Sequence, residues 1–149
     1  MTKMHNKKSK FTPTIISFVC NWSAYNILRK IEFRLPANMH YVRVMCLGRI
    51  NPSFIFKAFE LGVDGVLLLG CPPGECHYNF GNRIAEEHFN IANNVMHLLG
   101  VEKERLSLIQ VSNKDYLILV RSMKKFINVL KRVGPNPFKI DTSEKVWTP

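Results

Sequence analysis

Cys71 and Cys76 are held together by a short loop, Gly70-Cys71-Pro72-Pro73-Gly74-Glu75-Cys76-His77-Tyr78, which two prolines stiffen. Two thiols presented this way can bind a metal, form a redox couple or pack as small apolar groups. The choice depends on the remaining two cysteines, Cys20 and Cys46. Cys20, Cys46 and Cys71 are spaced by 26 and 25 residues, close to one strand-plus-helix unit. Each follows a short apolar run that reads as a strand. In a parallel sheet, equivalent positions of successive units lie at one edge, so the three separate cysteines converge there and Cys76 joins them through the loop. Four thiolates at one place suit a tetrahedral zinc ion or a [2Fe–2S] cluster, whose ligands tolerate separate loops. The Cys71-x4-Cys76 spacing matches one pair of plant-type ferredoxins, but the neighbouring Cys-x-x-Cys of that pattern is absent. Thiol redox chemistry at Cys71 and Cys76 and unligated core thiols also remain open.

The elements that must position these residues are legible in the pattern. Thr14 to Val19 is rich in β-branched and aromatic residues and predicts a first strand ending at Cys20. Ile27, Leu28, Ile31 and Leu35 recur at helical spacing, so a helix is expected over 24–35, stopped by Pro36. Tyr41 to Met45 predicts a second strand ending at Cys46. Asn51 and Pro52 predict the cap and first turn of a second helix, which Gly62 ends. Asp64 starts a third strand, whose unbroken apolar run to Cys71 suits burial on both faces. A long helix is expected from Gly81 to Leu99. It carries two adjacent apolar rows, Ile84-His88-Ile91-Val95-Leu98 and Ala85-Phe89-Ala92-Met96-Leu99, that together bury one side. Leu106 to Val111 predicts a fourth strand. Ser112 with Asp115 resembles a capping box before a last helix ending near Val133. Strand and helix alternate four times, which specifies an α/β domain with a parallel sheet and right-handed crossovers. The expected fold is a flavodoxin-like, doubly wound sheet of about four strands with helices on both faces. Ligands of such sheets collect beyond the carboxyl ends of the strands.

Composition narrows the function classes. The 149 residues favour one domain, here expected over 13–134 between a basic arm, 1–12, and a tail, 135–149. The formal charge of +10 is unevenly placed. Four lysines occupy residues 1–10, six basic residues occupy 121–139, and neither stretch holds an acid; the remaining body is neutral. No nucleic-acid-binding motif accompanies the charge, so a solvated, disordered end or a docking contact to an acidic partner protein is the expected use. No run approaches the roughly 20 apolar residues of a membrane span. The segment Ile15 to Cys20 is too short, and is followed by the wrong residues, for a secretory signal. A cytoplasmic protein without structural disulfides is expected.

Other residues near the cysteines have plainer readings. His77 adjoins Cys76 and is expected to hydrogen-bond the loop rather than replace a thiolate. His88 lies on an apolar row as a core or boundary histidine. Trp22 and Tyr78 shield the site or face a partner. Arg49 is a surface arginine or a charge partner of an anionic cluster. Glu75 has no second catalytic group near it, and Gly70 to Gly74 lacks the Gly-Lys-Ser/Thr ending of a phosphate loop.

A family resemblance rests on Cys20-Asn21-Trp22-Ser23-Ala24-Tyr25, Arg34-Leu35-Pro36, Val42-Arg43-Val44-Met45-Cys46-Leu47-Gly48-Arg49, Lys57-Ala58-Phe59, Gly62-Val63-Asp64-Gly65-Val66, the loop from Gly70 to Tyr78, and Gly81-Asn82. Over about 16–135 the chain resembles the delta subunit of methyl-viologen-reducing (F420-non-reducing) hydrogenase. The resemblance implies an electron-transfer protein with one [2Fe–2S] cluster on Cys20, Cys46, Cys71 and Cys76 and no substrate site of its own. It implies as partners a hydrogenase or formate dehydrogenase and the flavin-containing A subunit of heterodisulfide reductase. The family commonly has Cys-x-x-Cys in the first motif, where this chain has Ser23. The zinc-stabilised interaction domain and the thiol-redox protein are the alternatives.

Overall fold

A computed structural model describes residues 11–31 and 38–139. Four strands, β1 (Ile15–Cys20), β2 (Met39–Val44), β3 (Gly65–Gly70) and β4 (Leu106–Gln110), alternate with four helices, α1 (Ala24–Lys30), α2 (Pro52–Glu60), α3 (Gly81–Leu98) and α4 (Tyr116–Val133). Single 3-10 turns at Leu47–Arg49 and Lys103–Arg105 complete the order. The expected end of the first helix at Leu35-Pro36 lies outside the described residues. So do most of the expected basic arm and the end of the tail.

The strands form one sheet in the order β2-β1-β3-β4, and every neighbouring pair is parallel. β3 (GVLLLG) is buried at every position, because helices cover both of its faces. Alternate side chains divide between two cores. Phe18, Cys20, Val66 and Leu68 pack with α2 and α3 on one face. Ile15, Val19, Leu67 and Leu69 pack with α1 and α4 on the other. The chain leaves β1 toward β2 on one side and later returns to β3 on the other, so the order reverses between β1 and β3. In a doubly wound sheet this reversal opens a crevice at the carboxyl ends of those two strands.

Three local expectations are corrected. β2 begins at Met39 and ends at Val44, and Cys46 instead caps the 3-10 turn that follows. Ser112 and Asp115 form no capping box: Asp115 occupies the cap position of α4 without a side-chain bond, and its amide donates to Ser112 O at 3.0 Å. The backbone turn has taken the role expected of the side chains. On α3 only the row through Ala85, Ala92 and Met96 is buried, and Ile84, Ile91 and Leu98 are exposed. The two alanines let the helix approach closely along a narrow seam, which leaves the flanking row beyond the contact. His88 is a boundary residue, its Nδ1 3.0 Å from Ile50 O.

Candidate metal centre

The reversal point brings the cysteines together. Cys20 is the last residue of β1 and Cys71 directly follows its neighbour β3, so the two stand side by side, and their side chains are hydrogen-bonded. Cys76 hydrogen-bonds Cys71 from the loop and also reaches Cys46, which caps the 3-10 turn after β2. Cys20, Cys46 and Cys71 line one small space of about 10 Å³ together with Leu47, Gly70 and Asn82. All four thiols are free, three of them buried and Cys76 half-buried. Among the described residues no three His, Cys, Asp or Glu side chains close on a single metal ion. The contacts instead run in a chain, from Cys20 to Cys71, from Cys71 to Cys76 and from Cys76 to Cys46.

Backbone amides surround the sulfurs. Those of Trp22 and Ser23 bond Cys20, that of Gly48 bonds Cys46, and those of Tyr78, Gly81 and Asn82 bond Cys76. They belong to turns or first helical residues just past each strand, where N–H groups lack intrahelical partners. The hydrogen bond from Cys71 is the main cause that lowers the Cys20 pKa to about 6; burial opposes it, and the Trp22 and Ser23 groups assist. Cys71 is pushed far up, first by that same bond and then by burial and the neighbouring thiolates. Burial raises Cys46. At Cys76 burial is the largest single influence, but the three amides outweigh it and the pKa falls. The site thus favours the thiolate most strongly at Cys20, while Cys46 and Cys71 hold protons that a metal must displace.

Several contributors do not show in the sequence pattern. A side chain at Gly81 would collide with Cys46 Sγ and stand 3.2 Å from Cys76 Sγ. Gly48 is needed for the same approach, because a Cβ there would lie 2.9 Å from Gly81 O. Asn82 Nδ2 donates to Pro72 O at 2.8 Å and clamps the cysteine loop to α3. The Gly81-Asn82 pair, part of the family resemblance, carries this signal without its reason. Trp22 stacks on His77 with ring centroids 3.7 Å apart, and Tyr78 meets both rings edge-on. These aromatics therefore cover the loop beside Cys76. Arg49 and Glu75 are exposed.

The described residues fit a thiolate-bound metal group on three counts. The donors are four converging sulfurs. The amides supply hydrogen bonds of the kind that stabilise metal-bound thiolates. Two further buried groups, Trp22 Nε1 and Ser23 Oγ, have no hydrogen-bond partner, and both lie in the three-residue run after Cys20.

On the far side of Cys46 opens an apolar groove of about 740 Å³, lined among others by Val42, Met45, Phe54, Phe80 and Ile84. Arg49 is at its rim.

The sequence pattern of the methyl-viologen-reducing hydrogenase delta subunit matches residues 15–134. The chain belongs to this family. The iron-sulfur D subunit of the vhc F420-non-reducing hydrogenase of Methanococcus voltae is 36% identical over 135 residues, 89% of this chain and 94% of that protein. The iron-sulfur D subunit of the F420-non-reducing hydrogenase of Archaeoglobus profundus is 33% identical over 133 residues, 87% of this chain and 97% of that protein. The delta-subunit domain also occurs within a longer chain. The A subunit of the ferredoxin/F(420)H(2)-dependent CoB-CoM heterodisulfide reductase of Methanosarcina acetivorans is 33% identical over 126 residues, 83% of this chain but only 16% of that protein. This chain therefore spans about a sixth of the length of that relative. Among the described residues no helix is long and apolar enough to cross a membrane.

Proposed function

We propose that this protein is a one-electron relay that holds a [2Fe–2S] cluster on Cys20, Cys46, Cys71 and Cys76. The observation that carries the reading is the convergence of four thiols in one chain of contacts, ringed by six backbone amides. A [2Fe–2S] cluster would take four thiolates, and these four cysteines would supply them. A cluster of two ferric ions, two sulfides and four thiolates carries a negative charge, which the amides meet without a buried cation. The relatives named as iron-sulfur subunits support an iron–sulfur cofactor.

When bound, the cluster supplies reversible one-electron chemistry. The chain's own part is to hold the four sulfurs, pack Trp22, His77 and Tyr78 over the loop beside Cys76, and set the potential by burial and hydrogen bonds to sulfur. With the cluster held on Cys20, Cys46, Cys71 and Cys76, the chain would carry one electron from a reduced hydrogenase or formate dehydrogenase to a flavin of the heterodisulfide reductase A subunit. No proton moves and no bond to substrate forms. The occurrence of this domain inside the chain of one such A subunit supports that partner.

The test is anaerobic purification with iron, sulfide and zinc quantified beside a visible spectrum. The expected result is about two irons and two sulfides per chain in a red-brown protein. Each single replacement of Cys20, Cys46, Cys71 or Cys76 by Ala loses the colour. One zinc per colourless chain would reject the relay in favour of a structural zinc module.

A further inference from the structure

We propose that Ser23 is a hydrogen-bond donor to the Cys20 thiolate that raises the reduction potential of the site; the proposal rests on the iron–sulfur reading above. Ser23 holds the cap position of α1, where a serine side chain ordinarily accepts from a helix amide. It does not do so here. The helix start is satisfied by the Ser23 backbone, whose O accepts from Asn26 N at 3.0 Å and Ile27 N at 3.4 Å. The side chain is left over. It is 3% exposed, and Oγ makes no formed hydrogen bond. Native structures keep few buried hydroxyls in that condition, and each calls for an explanation such as an unseen group nearby.

The neighbour that explains it is Cys20, three residues earlier. The amides of Trp22 and Ser23 already bond its sulfur, and the Ser23 hydroxyl stands near enough to favour its ionised form. The contact is looser than a formed bond. A hydroxyl rotor can turn toward a sulfur that carries a full charge, and a bond to an ionised acceptor is roughly twice as strong as one to a neutral thiol. Uptake of one electron makes the sulfurs more negative. A donor on Cys20 therefore stabilises the reduced form more than the oxidised one. The residue neither ligates nor reacts; it biases the relay toward accepting the electron.

Ser17 provides the control. It too is buried with an unpartnered Oγ, but it lies in mid β1 on the strand face opposite Cys20, so it faces away from the cysteines. Full-length protein purified anaerobically is taken through a dye-mediated redox titration, with iron and sulfide measured on each variant. Ser23→Ala is expected to keep its iron and sulfide while the ratio of reduced to oxidised protein at a fixed potential falls about tenfold, a shift of about 59 mV for one electron. Ser17→Ala is expected to titrate as the parent does. A fully loaded Ser23→Ala protein with an unchanged midpoint would overturn the proposal and leave the relay intact. Loss of iron from Ser23→Ala would also overturn it, by making the serine a ligand. A parent protein without iron would overturn both this proposal and the reading beneath it.

Discussion

At the scale of single residues, Gly81 sets how closely α3 can approach the sulfurs. Its missing Cβ is the space that Cys46 Sγ occupies. Gly81→Ala is therefore expected to lower stability by about 1–3 kcal/mol, the usual penalty of overpacking, and to lose most of the bound iron. Denaturant unfolding and iron analysis of the same preparation check both effects; a fully loaded variant of parental stability would contradict the contact. The thiol pKa values give a second expectation. Cys71 and Cys46 have raised values, so both are protonated near neutrality and must release protons on ligation. Metal uptake by the apo-protein is thus expected to strengthen from about pH 6 to about pH 8, with proton release visible in weakly buffered solution. Uptake independent of pH would show that the thiols had ionised already. The cysteines were legible because residue type and spacing suffice to find them. Gly81, Gly48 and the Ser23 hydroxyl were not, because what they do is a close approach or an orphaned bond between segments distant in sequence or hidden behind a cap.

Among the elements, the two edges of the sheet divide the labour. The carboxyl edge holds the cysteines, while the amino edge is locked by polar contacts. Arg105, buried at the start of β4, donates to Asp64 O at 3.1 Å, Gly134 O at 2.9 Å and Pro135 O at 2.7 Å. Asp64 accepts from Thr14 N and Asn136 N, each at 2.8 Å. Asn136 Nδ2 reaches Phe59 O and Val63 O. Arg105→Ala strands three carbonyls and is expected to cost at least about 2 kcal/mol, given that hydrogen bonds to charged groups contribute about 1.5–3 kcal/mol each. The iron content of the folded variant should match the parent's, since the lock is at the other end of the strands. Equal stability in chemical denaturation would contradict this division. The alternation of strand and helix was plain in the sequence because periods of 2 and 3.6 are local properties. Which apolar row of α3 is buried was not, because that depends on how close Ala85 and Ala92 let the helix come. Nor could a run of residues past Val133 announce that Asn136 is wired into the amino edge.

For the whole molecule, the question is where a partner meets the relay. Cys46 lines the apolar groove, and Phe80 and Ile84 stand exposed beside it. Exposed apolar patches of this kind mark interaction surfaces. The row of α3 that sequence patterning assigned to the core thus carries part of this surface through Ile84, which no described residue covers. Phe80→Ala is expected to weaken binding to the heterodisulfide reductase A subunit about tenfold or more, as loss of an aromatic anchor does, while iron content and stability stay at parental values. Unaltered affinity would move the docking face elsewhere. The claim on which all of this depends is that the four cysteines hold a two-iron cluster able to take one electron. Electron paramagnetic resonance of the anaerobic protein before and after dithionite tests it most directly. The account predicts a silent oxidised state and, on reduction, a spin-one-half signal of about one spin per two irons that disappears from the Cys71→Ala variant. A protein that stays silent on reduction and carries zinc would contradict it.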